Sequence, residues 1–232
     1  MDRGTVGSRR WRLVLPLALG TAVLMGLLLW LGVAPEPARA DPGVLFVKPD
    51  GSGTACTQSS PCDLQTALAQ ATDGATIYVA TGTYTDTGDA VVTVTKSITL
   101  YGGWDGSPTG DVVRDPENYP TTLDGERQRR VVYISGNITP TLDGLIITRG
   151  DASGLGGGYL GRDAGGGVYV NRAAAAITGC TIHDNRASAT AVGAGGGIYL
   201  YQSAARLSGN TVISNLASTN FQLMVRSKLD EF

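Results

Sequence analysis

AGGGVYVNRAAAAITGCTIHDNRAS, residues 164–188, is followed by AGGGIYLYQSAARLSGNTVISNLAS, residues 194–218. The two stretches align without a gap at an offset of 30, and 12 of their 25 pairs are identical. Val168/Ile198, Val170/Leu200, Ile177/Leu207, Thr178/Ser208 and Ile182/Val212 are conservative pairs. A fixed period in this range marks a stacked repeat, in which each unit buries its apolar face only against its neighbours.

Within a unit the apolar runs are short and rich in β-branched residues: Val168-Tyr169-Val170, Ile177, then Thr181-Ile182. Gly, Asn, Ser and Asp separate them. Runs this short suit neither a sandwich nor a helix. Gly165–Gly167 and Gly195–Gly197 allow positive φ at a tight corner. Alternation directs Val168 and Val170 inward and Tyr169 outward. A 30-residue unit with about three strands fits one turn of a parallel β-helix, about five turns in all. The Leu-x-x-Leu-x-Leu spacing of a leucine-rich solenoid is absent.

Stacking places identical positions above one another. Asn185 would sit on Asn215, Cys180 beside Asn210, and Tyr133, Tyr169 and Tyr199 would form an outward aromatic ladder. Earlier turns are degenerate but readable. Leu142–Ile147 matches Ile177–Ile182, and Val132-Tyr133-Ile134 matches Val168–Val170. Thr76–Val79, Val91–Val94, Ser97–Leu100 and Thr122-Leu123 read as strands of the first turns. Two inserts, 102–121 and 148–165, interrupt the pattern, and long loops on a stacked scaffold are where function is usually carried.

The paired GGG(V/I)Y and (I/V)xxN elements resemble the GGA(I/L/V) and FxxN repeats of polymorphic outer membrane proteins. More broadly, the chain is similar to right-handed parallel β-helix proteins of the pectin-lyase-like superfamily. Cys56…Pro61-Cys62-Asp63-Leu64, followed by Asp73–Val79 and Gly82-Thr83-Tyr84, resembles the start of many bacterial surface proteins of that kind. The resemblance covers roughly residues 44–218. It departs from the polymorphic pattern in having Ile182 and Val212 where that pattern has Phe, and it lacks a C-terminal β-barrel. It implies an all-β, right-handed parallel β-helix. It also raises the prospect of a polysaccharide lyase or glycoside hydrolase, because that superfamily hosts both.

The N-terminal end has the layout of a secretory signal. Arg9, Arg10 and Arg12 precede an uncharged run, Leu13–Val33, and Ala38-Arg39-Ala40 forms an A-x-A site before Asp41. Residues 1–40 are therefore expected to be a signal peptide, or a transmembrane signal anchor if uncleaved. Cleavage after Ala40 would leave 13 basic and 18 acidic side chains, a net charge of −5. An acidic body without a basic patch argues against nucleic acid as a partner.

Cys56 and Cys62 enclose a short loop in an exported chain and are expected to form a disulfide. Cys180 is then a buried, inert thiol. Ser60, Pro61 and Asp63 open a short amphipathic helix, expected over 61–72 with Ser60 as N-cap, that covers the first turn. Residues 219–232 change character. They read either as a terminal cap or as the truncated end of a longer array.

A catalytic set is not evident. Hydrolysis needs carboxylates paired across a groove, and the Asp-Asp and Gly-His-Gly motifs of polygalacturonases are absent. His183-Asp184-Asn185-Arg186 reads as a solvated turn, because only the Asn recurs thirty residues on. Arg127, Arg129 and Arg130 read as another solvated turn rather than an anionic-glycan site. Asp105, Asp111, Asp115 and Glu117 could attract calcium, but they lack the spacing of a loop site. Otherwise no cofactor is expected. The reading that results is an exported, non-catalytic cell-surface or secreted protein, adhesin-like or structural. Its alternatives are a carbohydrate-active enzyme or remnant, and a carbohydrate-binding module. In the last case the ligand-binding residues would be Tyr133, Tyr169 and Tyr199, facing a polysaccharide or another cell-surface ligand.

Overall fold

The computed structural model describes residues 43–218; the expected signal or anchor, 1–40, and the tail, 219–232, lie outside the described residues. The described chain is all-β in character, with strands of two to six residues, one α-helix and one 3-10 turn. Sheets of six, five and four strands make up most of it, with two short two-stranded pairs beside them. Every pairing between named strands is parallel.

The chain visits the three larger sheets repeatedly in the same order: six-stranded, five-stranded, four-stranded. On each visit it adds a strand beside the one laid down a pass earlier. Residues thirty apart are direct partners: Val168 with Ile198, Ile177 with Leu207, and Ile182 with Val212. The degenerate alignments also hold in register, with Val132 beside Val168, Leu142 beside Ile177 and Ile147 beside Ile182.

This register turns sequence repetition into apolar columns. Ile77, Leu100, Leu142 and Ile177 follow one another along the six-stranded sheet. Leu123, Ile147 and Ile182 do so along the five-stranded sheet. Val94, Ile134 and Val170 do so along the four-stranded sheet. All are buried in one continuous core, and each such side chain contributes about 1.5–3 kcal/mol.

Between sheets the backbone must turn sharply, and it does so at recurring positions. Gly144, Gly179 and Gly209 take φ of +68°, +57° and +63°. Five residues after each, Arg149, Asp184 and Ser214 take φ of +52°, +55° and +53°. Left-handed geometry costs a non-glycine residue about 1–2 kcal/mol, so something must hold these corners.

Asparagine carboxamides do so. Asn185 Oδ1 accepts from Gly150 N at 2.8 Å while its Nδ2 donates to Ile147 O at 2.9 Å. Asn215 Oδ1 accepts from Asn185 N at 3.0 Å, and its Nδ2 donates to Ile182 O at 2.8 Å. Asn210 repeats the pattern on Cys180 N and Ile177 O, at 2.8 and 2.7 Å. Each amide satisfies two backbone groups of the preceding pass, which would otherwise be buried without partners at a corner where the ladder breaks.

At the N-terminal end the helix spans Leu64–Gln70, shorter than the expected 61–72. Its N-cap is Asp63, not Ser60: Asp63 Oδ1 accepts from Thr66 N at 2.8 Å. Cys62 forms a parallel bridge to Val47, which holds the Pro61-Cys62 segment extended and delays the first helical turn. Leu64 and Ala67 face the main core. Cys56 and Cys62 are bonded, with an S–S distance of 2.06 Å. Among the described residues no helix is long and apolar enough to cross a membrane.

Candidate ligand-binding face

The outer surface of the four-stranded sheet brings the three expected tyrosines together. Tyr133, Tyr169 and Tyr199 are in register on adjacent strands. The first two rings stack with centroids 5.4 Å apart and planes 6° from parallel. Tyr169 and Tyr199 stack at 5.8 Å and 12°. Parallel strand spacing of about 4.8 Å imposes this face-to-face approach.

Tyr169 faces outward, as alternation implies, but it is not accessible. It is only 4% exposed. The glycine-rich insert folds back over it: Tyr169 OH donates to Gly157 O at 2.8 Å, and Tyr159 N donates to Tyr199 OH at 3.2 Å. Gly157 sits at φ +93°, and a Cβ there would lie 2.8 Å from Tyr169 Cε2. Burial, and then the neighbouring Tyr133, push the Tyr169 hydroxyl pKa above its ordinary value. Alternation reports which side of a sheet a residue faces. It carries no information about a loop arriving on that side.

The arginine cluster is likewise not a solvated turn. Arg130 is 6% exposed. Its Nε donates to Ala164 O at 3.0 Å and its Nη2 to Gly156 O at 2.5 Å, so it grips the middle and the C-terminal end of the insert. The guanidinium also lies 4.9 Å from the Tyr169 ring centroid and 5.9 Å from that of Tyr133. Burial holds its pKa below the usual arginine value. Arg129 is buried too, bonded to Gly88 O and paired with Glu126. Only Arg127 of the three is exposed. The one sequence signal for this would have been an arginine opening a strand opposite a glycine-rich loop, whose bare carbonyls need donors.

Thr93 is the register partner of Tyr133 on the next strand. Beside it opens a recess of about 400 Å³ lined by Asp89, Thr93, Arg130, Tyr133, Leu155 and Tyr169, among others.

Elsewhere the buried and half-buried carboxylates are occupied structurally. Asp124 pairs with Arg149, Asp143 with Arg114, and Asp151 with Arg186. Asp163 accepts from Ser188 Oγ at 2.7 Å and Gly156 N at 3.1 Å. Burial pushes Asp124 and Asp151 up, but hydrogen bonds from Arg149 and Arg186, with backbone and serine donors, outweigh it and leave both below the ordinary carboxylate value. In the long insert, Asp105 binds Ser107, and Asp115 binds Asn118. These are local turn caps rather than a shared cation site. Among the described residues no three His, Cys, Asp or Glu side chains gather to hold a metal.

The His183–Arg186 segment is only half solvated. His183 Nδ1 lies 2.7 Å from Asp184 Oδ2, whereas Asn185 is buried and Arg186 is bound to Asp151. Cys180 is buried, and desolvation pushes its pKa up to about 11, which leaves the thiol unreactive at neutral pH.

No family model, no curated protein and no solved structure matches the chain.

Proposed function

We propose that the chain is an exported, cell-surface or secreted right-handed parallel β-helix of the pectin-lyase-like kind, capped at its N-terminal end by the helix Leu64–Gln70. Its role in this reading is adhesive or structural rather than catalytic. The face carrying Tyr133, Arg130 and Thr93 is the surface through which it meets a polysaccharide or another cell-surface ligand.

The observation that carries the reading is what the carboxylates do. Asp124–Arg149 and Asp151–Arg186 join residues 25 and 35 positions apart, so the acids strut successive passes together. A glycosidase instead needs two carboxyl groups free and facing each other across about 5–9.5 Å. The thirty-residue register supports the stacked architecture, and the A-x-A site before Asp41 supports export.

Incubating the purified chain with pectate, alginate and neutral polysaccharides should release neither unsaturated products nor reducing ends. Steady turnover of any of them would sink the non-catalytic reading. N-terminal sequencing of the exported protein should begin at Asp41, and a start at Met1 would favour an anchor.

A further inference from the structure

We infer that the recess beside Thr93 is a binding site for a six-membered ring bearing a carboxylate, with one face of the ring laid on the open face of Tyr133 and the carboxylate on Arg130. The inference rests on reading this face as the recognition surface and adds the chemical class of the ligand.

The tyrosine column stops one strand early. Thr93, Tyr133, Tyr169 and Tyr199 occupy the same register position on four successive strands. Tyr169 covers one face of the Tyr133 ring. The other face looks toward Thr93, whose three-heavy-atom side chain is too small to cover it. The recess lies where a fourth ring would stand. The strand carrying Thr93, Ala90–Val94, is the edge of its sheet, so a guest ring has Tyr133 on one side and no further strand of that sheet on the other; aromatic faces hold ring partners with centroids about 4.5–7 Å away.

The charge in the recess selects among such rings. Arg130 is nine-tenths buried and lines the recess, yet among the described residues it forms no ion pair. Two backbone carbonyls, two tyrosine faces and the more distant charges of Asp163 and Asp89 compensate its charge in part, but no described carboxylate comes within ion-pair distance. A buried cation is costly unless it is paired, and a carboxylate is the partner that guanidinium geometry suits best. Asp89, the one acid lining the recess, is exposed at its rim and does not pair with Arg130. It would disfavour ligands with a second negative charge on that side.

Two sources supply such a ring: an aromatic acid and a sugar acid. The test titrates the full-length chain with benzoate, glucuronate and glucose, read by saturation-transfer NMR of the ligand. At least one of the two carboxylates should saturate, and glucose should bind about tenfold or more weakly, the worth of one charge-assisted hydrogen bond. Saturation by benzoate alone assigns the aromatic source; saturation by glucuronate alone assigns the sugar.

Because Arg130 also holds the insert, the decisive variant leaves it in place. Thr93→Tyr completes the column and should abolish binding without lowering Tm, while Thr93→Ser should bind like the parent. The inference is overturned if neither carboxylate saturates at millimolar concentration, if glucose binds as well as they do, or if Thr93→Tyr binds undiminished. Polysaccharide turnover would remove the non-catalytic reading and leave this site standing, so the two failures are separable.

Discussion

Ile182 and Val212 hold the same place in successive copies of one segment and are register partners, yet Ile182 is 0% exposed and Val212 is 48% exposed. Ile177 and Leu207 differ in the same way, at 0% and 47%. The inward direction of the side chain is common to both members of each pair. The difference is that Ile177 and Ile182 have a strand on either side, whereas in the described chain Leu207 and Val212 have one on a single side. Burial in such a stack is therefore a property of position in the order, set by neighbours before and after. A core residue cannot be assigned from its own repeat alone.

The sharpest way to break that comparison is a matched pair of truncations. Ile182→Ala should cost about 3–4 kcal/mol, from lost transfer energy and an unfilled cavity between two rungs. Val212→Ala, already half in water, should cost under about 1 kcal/mol. Denaturant unfolding of both variants measures this, and equal costs would mean that Val212 is covered in solution.

A smaller contrast lies in the corners. Asn185→Ala strands Gly150 N and Ile147 O inside the stack and should cost about 2 kcal/mol. Asn215→Ala releases groups nearer solvent and should cost about half as much. Thermal melts of the two variants would reveal an inverted order if the last described pass were the better anchored.

The insert over the tyrosines offers a third contrast with the bare strands. Gly157→Ala combines a left-handed φ with a Cβ pressed against Tyr169. It should cost about 1–2 kcal/mol and speed proteolysis within 152–162, whereas Gly154→Ala, which meets nothing within 4 Å, carries only the backbone penalty. Limited proteolysis would distinguish the two.

The mildest test uses acid. Asp124 and Asp151 have folded pKa values below the ordinary 3.8. The stability they confer is present above that value and is lost as pH falls through the depressed folded values. Tm should hold from neutral pH to about 4 and then decline. Asp124→Asn should flatten that decline while lowering Tm at neutral pH.

The sequence revealed register and core columns because both rest on identity at a fixed offset. Leu142 beside Ile177 and Val132 beside Val168 follow from local pattern alone, whereas Leu123 beside Ile147 is visible only in the structure. The helix was legible as an amphipathic run, but its start was not, because the Cys62 bridge to Val47 is a contact between segments that holds Pro61-Cys62 extended. The tyrosines were found as a group and their accessibility was missed. Arg130 was misjudged for the same reason, since the insert that buries both has no periodicity to read. The Asp124–Arg149 and Asp151–Arg186 struts also escaped notice. Inserted residues shift their spacing to 25 and 35, so no constant interval links acid to base.

The corner asparagines Asn185, Asn210 and Asn215 each take two backbone groups from the pass before their own. Order in this molecule consequently has a polarity: each new coil brings the fastener that closes the corner of the coil before it, while its own corner waits for the coil after. A chain emerging N-terminus first, from a ribosome or through a narrow membrane pore, could lock one layer at a time and never hold more than the newest layer loose.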